Sequence, residues 1–171
     1  MAAKTVLITG SNRGIGLAFA KHYKTEGWKV IGCARNVDAA TELKQLEPWK
    51  LLTLDTSNEE SVHAAAKTLE NVPINLLINN AGVMDVHDLQ STTKADLLRH
   101  FEVNASGSGP SGGKHRLLAP TPGYVNTAMV GFQGTVFTDD SVKGLARIIA
   151  NAKLEDSAKM FHFEKGEVLP W

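Results

Sequence analysis

The chain has 171 residues, 43% of them hydrophobic, which suffices for one core of ordinary domain size, and a single domain over 1–171 is expected. Lys+Arg and Asp+Glu number 18 each. That balance excludes capture of nucleic acid or an anionic membrane by a basic patch. A lone cysteine, Cys33, excludes an internal disulfide and a cysteine-based zinc cluster and fits a reducing compartment. MAAKTVLITG enters an apolar run directly, without a charged leader, and no later run reaches membrane-spanning length, so the expected location is the cytoplasm.

Lys4 to Thr9 is a β-branched apolar run ending in a glycine cluster, the pattern of a buried strand entering a turn. Ile15, Ala18, Phe19 and Tyr23 recur at helical spacing, and Gly27 stands where a helix would stop. The alternation continues with a strand at Trp28–Ala34, a helix at Val37–Leu46, a strand at Lys50–Leu54 and a helix at about Glu59–Leu69. Ser57 and Glu60 form an S-x-x-E capping box for this last helix. Ile74 to Asn79 reads as a fourth strand and Ala95 to Val103 as a further helix. Strands alternating with helices predict right-handed βαβ units, hence an α/β fold with a doubly wound parallel sheet covered on both faces.

The texture then changes. Residues 105–113 read ASGSGPSGG, and the stretch 105–115 has the composition of a linker. Beyond it lie a short apolar run at Arg116–Ala119, the turn-forming TPGY, an amphipathic helix at about Asp140–Ala152 and a strand at Met160–Phe163.

Gly10, Gly14 and Gly16 fall in TGSNRGIG, after the first strand and at the opening of the first helix. A diphosphate requires backbone N–H groups that it can approach without an intervening Cβ, and the positive end of a helix dipole. Glycines here supply both, whereas a glycine-rich turn alone is the structural alternative. Strand before, helix after and a βαβ continuation favour dinucleotide binding.

The spacing G-x-x-x-G-x-G resembles the short-chain dehydrogenase/reductase family. Asn79-Asn80-Ala81-Gly82 is similar to the family's NNAG, Leu54-Asp55 to its adenine-contacting Asp, and Asn104 in FEVN to its active-site Asn. Pro122-Gly123-Tyr124-Val125-Asn126-Thr127 resembles its PG-x-V-x-T segment, which lies against the nicotinamide. The ending GEVLPW is similar to that of the C-factor-like branch. The resemblance covers residues 3–104 and 117–171. It implies a Rossmann-type sheet with cofactor contacts at Gly10, Asn12, Arg13, Gly14, Ile15, Gly16, Arg35, Asp55, Asn80, Ala81, Gly82, Pro122, Gly123, Val125 and Thr127, and Asn104 as the one active-site residue carried over.

An NAD-using fold places an acid near the end of the second strand, whereas a 2′-phosphate wants a cation there. This strand ends Cys33-Ala34-Arg35, and Arg13 stands inside the glycine turn. Two arginines at cofactor positions favour NADP(H), against the alternative of solvated surface residues. Asp55 before Thr-Ser is equally a common turn residue.

The resembled family reduces carbonyls or oxidises alcohols with a Tyr-x-x-x-Lys pair and an upstream Ser, the Lys lowering the Tyr pKa from about 10 toward neutrality. Here Gly27 follows Tyr23 by four places and Ala128 follows Tyr124 by four, so neither tyrosine heads such a pair. Residues 105–121 are too few for the missing strands and helices, since one parallel crossover alone takes about a dozen residues. The central segment is therefore absent, and the strand at Ile74–Asn79 is expected to present an open edge and apolar face unless it pairs with the strand near Leu117. Loss of the family-type homo-oligomer interface is expected with it.

Lys114 and His115 are titratable substitutes on position alone; a solvated basic loop is the alternative. Ser106, Ser108 and Ser111 lack an identifiable base, and GPSGGKH departs from a P-loop at Ser108 and His115. Met84 and Met129 read as packing residues, and His22 and His63 lack a ligand partner at metal spacing. Three functions follow from these residues: an NADP(H)-linked oxidoreductase acting on a small carbonyl or alcohol, a catalytically silent dinucleotide-binding protein, or a shortened or misassembled product without activity of its own.

Overall fold

Strand β1 (Thr5–Ile8) is buried at all four positions and pairs in parallel with β2 (Lys29–Ala34) on one side and β4 (Leu76–Ile78) on the other. With β3 (Lys50–Thr53) beyond β2, the sheet order is β3-β2-β1-β4. The computed structural model describes residues 3–85, 88, 90–105 and 118–170. They belong to two compact units, Met1–Gly109 and Pro110–Trp171, each taken separately below.

In the first unit the order reverses at β1, the mark of a doubly wound sheet. Right-handed crossovers put α1 (Gly14–Thr25) and α2 (Thr41–Gln45) on one face and α3 (Glu59–Thr68) on the other. The period-2 alternation of the strands serves both faces. Leu7, Ile31, Cys33 and Leu52 pack with Ala65 and Leu69 on the α3 side. Gly32 faces the opposite way, where a β-carbon would meet Leu43 Cδ1 at 2.9 Å, so its lack of a side chain lets α2 lie close.

Helix α1 ends as the sequence predicts. Gly27 takes φ +76°, Gly27 N–H donates to the Lys24 carbonyl and Trp28 N–H to the Tyr23 carbonyl, a Schellman closure. Behind it Tyr23 packs against Trp28 with ring centroids 5.0 Å apart, and Lys4 Nζ lies 5.3 Å from the Trp28 ring. At the start of β3 the half-exposed Trp49 lies under Lys29 Nζ at 5.1 Å.

Two local expectations are corrected. The Val37–Leu46 helix begins only at Thr41, because Asn36 Oδ1 accepts from the Asp38 and Ala39 amides and holds the chain in a turn. The cap of α3 is not Ser57 with Glu60: Asn58 Oδ1 accepts from Ser61 N–H at 2.8 Å, while Ser57 is drawn to Asp55. Helix α4 (Lys94–Asn104) opens instead on a capping box of Thr93 and Asp96.

Among the described residues, apolar side chains beside the fourth strand are exposed, where the sequence predicts an open apolar face. Leu77 on β4 is half exposed, α4 buries none of its residues, and Leu97 and Phe101 are 63% and 62% exposed. Strand β4 has β1 as its ladder partner, and the strand near Leu117, β5 (Leu118–Thr121), pairs instead with β6 (Lys159–His162).

The second unit contains β5, β6 and a short antiparallel β7 (Val168–Leu169), which the sequence did not announce. Its helix α5 (Thr138–Asn151) buries Val142, Leu145, Ala146 and Ile148. Gly144 of α5 allows close approach to β6, since a β-carbon there would fall 2.3 Å from the Phe163 carbonyl oxygen. Met84 and Met129, read as packing residues, are instead exposed. No helix among the described residues is long and apolar enough to cross a membrane.

Candidate functional site: the glycine turn of the first unit

The turn between β1 and α1 is built by close backbone approach. Gly10 adopts φ +60°, and a β-carbon on it would lie 2.9 Å from Ala81 Cα. A β-carbon on Gly16 would fall 2.3 Å from the Gly10 carbonyl oxygen. Gly14, at φ +55°, opens the helix. Each glycine thus answers a steric demand of the turn.

Polar side chains then fix this turn to the neighbouring strands. Thr9 Oγ1 accepts from both Asn80 N–H and Ala81 N–H at 2.9 Å. Asn80 Nδ2 donates to the carbonyls of Thr9 and Gly10 at 3.0 and 3.1 Å. Ser11, fully buried, donates to the Cys33 carbonyl from its amide at 2.9 Å and its hydroxyl at 3.1 Å. Thr9 and Ser11 are positioning residues that the motif alone does not single out, since their partners lie 71 and 22 positions away.

The resulting helix end is prepared for an anion. Arg13 occupies the N-cap position with no side-chain cap, and the first turn of α1 holds no acidic residue. The leading amides of any helix lack carbonyl partners within it, and a negative group in front of them is favoured by the helix dipole. Asn12 and Arg13 are exposed beside this end, with Ile15 half-buried in its first turn.

Arg35 follows β2 directly and is exposed. Asp55 is held below the usual carboxylate range chiefly by the Ser57 hydroxyl, 2.7 Å from Oδ1, with a smaller contribution from the Arg35 charge. Ser57 N–H donates to the same oxygen at 3.0 Å, so the turn role expected as the alternative for Asp55 is realised.

At the end of β4, Gly82 brings the chain to Asn104, whose Oδ1 would lie 3.4 Å from a β-carbon on the glycine. Asn104 accepts from Val83 N–H at 2.8 Å and donates to the Val83 carbonyl at 2.9 Å. The residues Gly10 to Gly16, Asn80 to Gly82 and Asn104 are thereby drawn to one end of the first sheet.

Pro122 to Thr127 belong to the second unit. Ser141 Oγ donates to the Pro122 carbonyl at 2.7 Å, and Gly123, at φ +80°, lies against Phe163. Val125 is buried and bridges to Val136, and Thr127 precedes a 3-10 turn at Ala128–Val130. Asn126 Oδ1 is buried without a hydrogen-bond partner among the described residues.

Tyr23 is buried among Phe19 and Trp28, and burial pushes its hydroxyl up to about 12, while Tyr124 is exposed. His22 packs edge-on against Tyr23, and His63 pairs with Glu59 at 3.6 Å. Among the described residues, no group of three His, Cys, Asp or Glu gathers at metal-binding range. Ser106, Ser108, Ser111, Lys114, His115 and most of the 105–115 linker lie outside the described residues.

The sequence profile of the short chain dehydrogenase family matches residues 4–108, and the chain belongs to that family. It is 33% identical over 145 residues to a sorbitol dehydrogenase of Cereibacter sphaeroides, covering 75% of this chain and 57% of that one. It is 35% identical over 123 residues to an NADPH-dependent pterin aldehyde reductase of Arabidopsis thaliana, covering 59% and 50%. The chain thus spans about half the length of these curated relatives. Among solved structures, an NADPH-bound carbonyl reductase from chicken fatty liver shares the fold with a TM-score of 0.86 at 21% identity, over 100% of both chains. A short-chain dehydrogenase from Streptomyces avermitilis matches at 31% identity and a TM-score of 0.56, over 62% of this chain and 41% of that one.

Proposed function

We propose that the chain binds NADP(H) at the glycine turn, as part of an oxidoreductase lineage that acts on small carbonyl or alcohol substrates, and that it is a binding protein in which hydride transfer is lost. The observation that carries the binding reading is the uncapped, acid-free N-terminus of α1, entered through Gly10 and Gly14 at positive φ. Gly14, Ile15 and Gly16 would offer their amides to the diphosphate, with Asn12 at the turn and Asn80 to Gly82 alongside. Arg13 and Arg35 would take the 2′-phosphate, for which a planar guanidinium fork is well suited. The NADPH named for the pterin aldehyde reductase agrees with this choice.

The cofactor, when bound, supplies or accepts a hydride; a proton must move with it at the substrate oxygen. Tyr23 is packed among Phe19 and Trp28 near the end of α1 away from the glycine turn, and Tyr124 has Ala128 where the lysine would stand. These two side chains favour the silent binding protein over the active enzyme.

The test is a thermal melt of the chain with NADPH and with NADH, followed by NADPH consumption over a panel of aldehydes and ketones. NADPH at about a hundred times its Kd is expected to add ~2.7 kcal/mol, several degrees for a domain of this size. A melt indifferent to both nucleotides overturns the binding reading. Sustained NADPH consumption overturns the silent one.

A further inference from the structure

Three side chains near the end of α4 reach the loop that follows β4. Asn104 forms the two bonds to Val83 described above, and Arg99 Nη1 pairs with Asp85 Oδ2 at 2.5 Å. His100 lies between them: its Nδ1 is 2.7 Å from the Asp96 carbonyl oxygen, and its Nε2 is 3.1 Å from the Asp85 amide nitrogen.

These partners define the state of the ring. A carbonyl oxygen can only accept, so Nδ1 carries the proton; a backbone amide can only donate, so Nε2 is bare. His100 is therefore used as the neutral Nδ1–H tautomer. A proton added to Nε2 would set a donor against the Asp85 N–H donor and break the bond.

We propose that His100 is a positioning residue for the Asn80–Asp85 loop, a latch that is closed when the imidazole is neutral and open when it is protonated, so that NADP(H) affinity falls in acid. This rests on the dinucleotide-binding reading above. The loop is secured at one end by Thr9, through the Asn80 and Ala81 amides, and at the other by α4. Loss of the His100 bond leaves Asn104 on Val83 and Arg99 on Asp85 as the remaining hold of α4, so the loop is loosened at the Asp85 backbone and its approach to the site is less well fixed.

The charged residues bonded to the ring's backbone partners or to the same loop are Asp85, Arg99 and Asp96. Asp85 and Arg99 neutralise each other, and the Asp96 carboxylate is engaged at the head of its own helix, accepting from the Thr93 amide at 2.9 Å and hydroxyl at 2.6 Å. All three are common to wild type and variants, so substitution of His100 isolates the ring's own titration.

The experiment follows the Asp85 amide and the His100 ring by NMR in the nucleotide-free chain, and measures NADPH affinity, between about pH 5 and pH 8, where imidazoles change charge. It uses wild type, His100→Gln and His100→Phe. Gln offers an amide oxygen to Asp85 N–H at every pH, and Phe offers no acceptor. In wild type the Asp85 amide is expected to move with the ring's titration. Wild-type NADPH affinity is expected to fall about tenfold more toward acid than that of the Gln variant, which shares the 2′-phosphate's own titration near pH 6. The Phe variant is expected to bind weakly throughout. An Asp85 amide indifferent to the ring's charge, or parallel profiles for wild type and Gln, overturns the proposal. NADPH bound by none of the three while the Asp85 amide still follows the ring upholds the latch and overturns the cofactor reading. If the Phe variant does not fold, the comparison of wild type with Gln still decides.

Discussion

Gly16 of α1 and Asn80 beyond β4 meet so closely that a β-carbon on the glycine would lie 2.4 Å from Asn80 Nδ2. Asn80 uses that nitrogen to hold the Thr9 and Gly10 carbonyls, so one contact joins the helix, the glycine turn and the end of β4. Gly16→Ala therefore has no room to relax without displacing backbone. The expected cost is about 1–3 kcal/mol, the usual range for overpacking, read as a drop of several degrees in Tm with loss of the NADPH-induced shift.

Thr9→Val keeps the shape and removes the oxygen that accepts from the Asn80 and Ala81 amides. Two partly buried donors lose their partner, at ~1–3 kcal/mol each. The urea midpoint is expected to fall accordingly, and Thr9→Ser, which keeps the oxygen, to remain close to wild type.

Arg35→Asp replaces a cation with a carboxylate at the end of β2. A charge-assisted hydrogen bond contributes about 1.5–3 kcal/mol, so NADPH is expected to bind about 10- to 100-fold more weakly while NADH holds or improves. The measurement is the pair of dissociation constants; if their ratio stays put, Arg35 does not read the 2′-phosphate.

Much of this site is legible in the sequence because its demands are local. A backbone that must take φ near +60° at Gly10, or pass against another backbone at Gly16, marks itself with glycine. The doubly wound parallel sheet follows in the same way, from apolar runs alternating with helical ones, whereas the order β3-β2-β1-β4 is seen only in the folded chain. The misreadings arise where one polar side chain outcompetes another. Asn58 reaches Ser61 N–H and leaves Ser57 to Asp55, and Asn36 delays α2 to Thr41. The locking roles of Thr9, Ser11 and His100 depend on partners brought by tertiary folding, and β7, with two residues, is too short for any periodicity.

The Asp55–Ser57 contact sets a pH dependence of known sign. Because the folded carboxyl titrates below its ordinary range, its contribution is present above the unfolded carboxyl's titration and is lost as pH falls through the depressed one. Ser57→Ala removes the main cause. The Asp55 carboxyl carbon is expected to titrate at higher pH by NMR, and the acid-unfolding midpoint to move up with it.

The uncovered side of α4 predicts self-association. Leu97 and Phe101 are more than half exposed, so Leu97→Glu with Phe101→Lys removes apolar surface without touching the core. Light scattering at rising concentration is expected to show less aggregate, with Tm within a few degrees of wild type. A collapse of Tm would mean that these side chains are covered in solution.

Trp28 and Trp49 stand immediately before β2 and β3, at the end of the parallel strands away from the glycine turn. Trp28 is sheltered against Tyr23, whereas Trp49 is 49% exposed. The first sheet therefore carries two optical signals of its own. The emission of Trp28 reports whether β2 and the end of α1 are packed, and that of Trp49 answers to solutes in the surrounding water, with both lying away from the strand ends where a nicotinamide dinucleotide would bind.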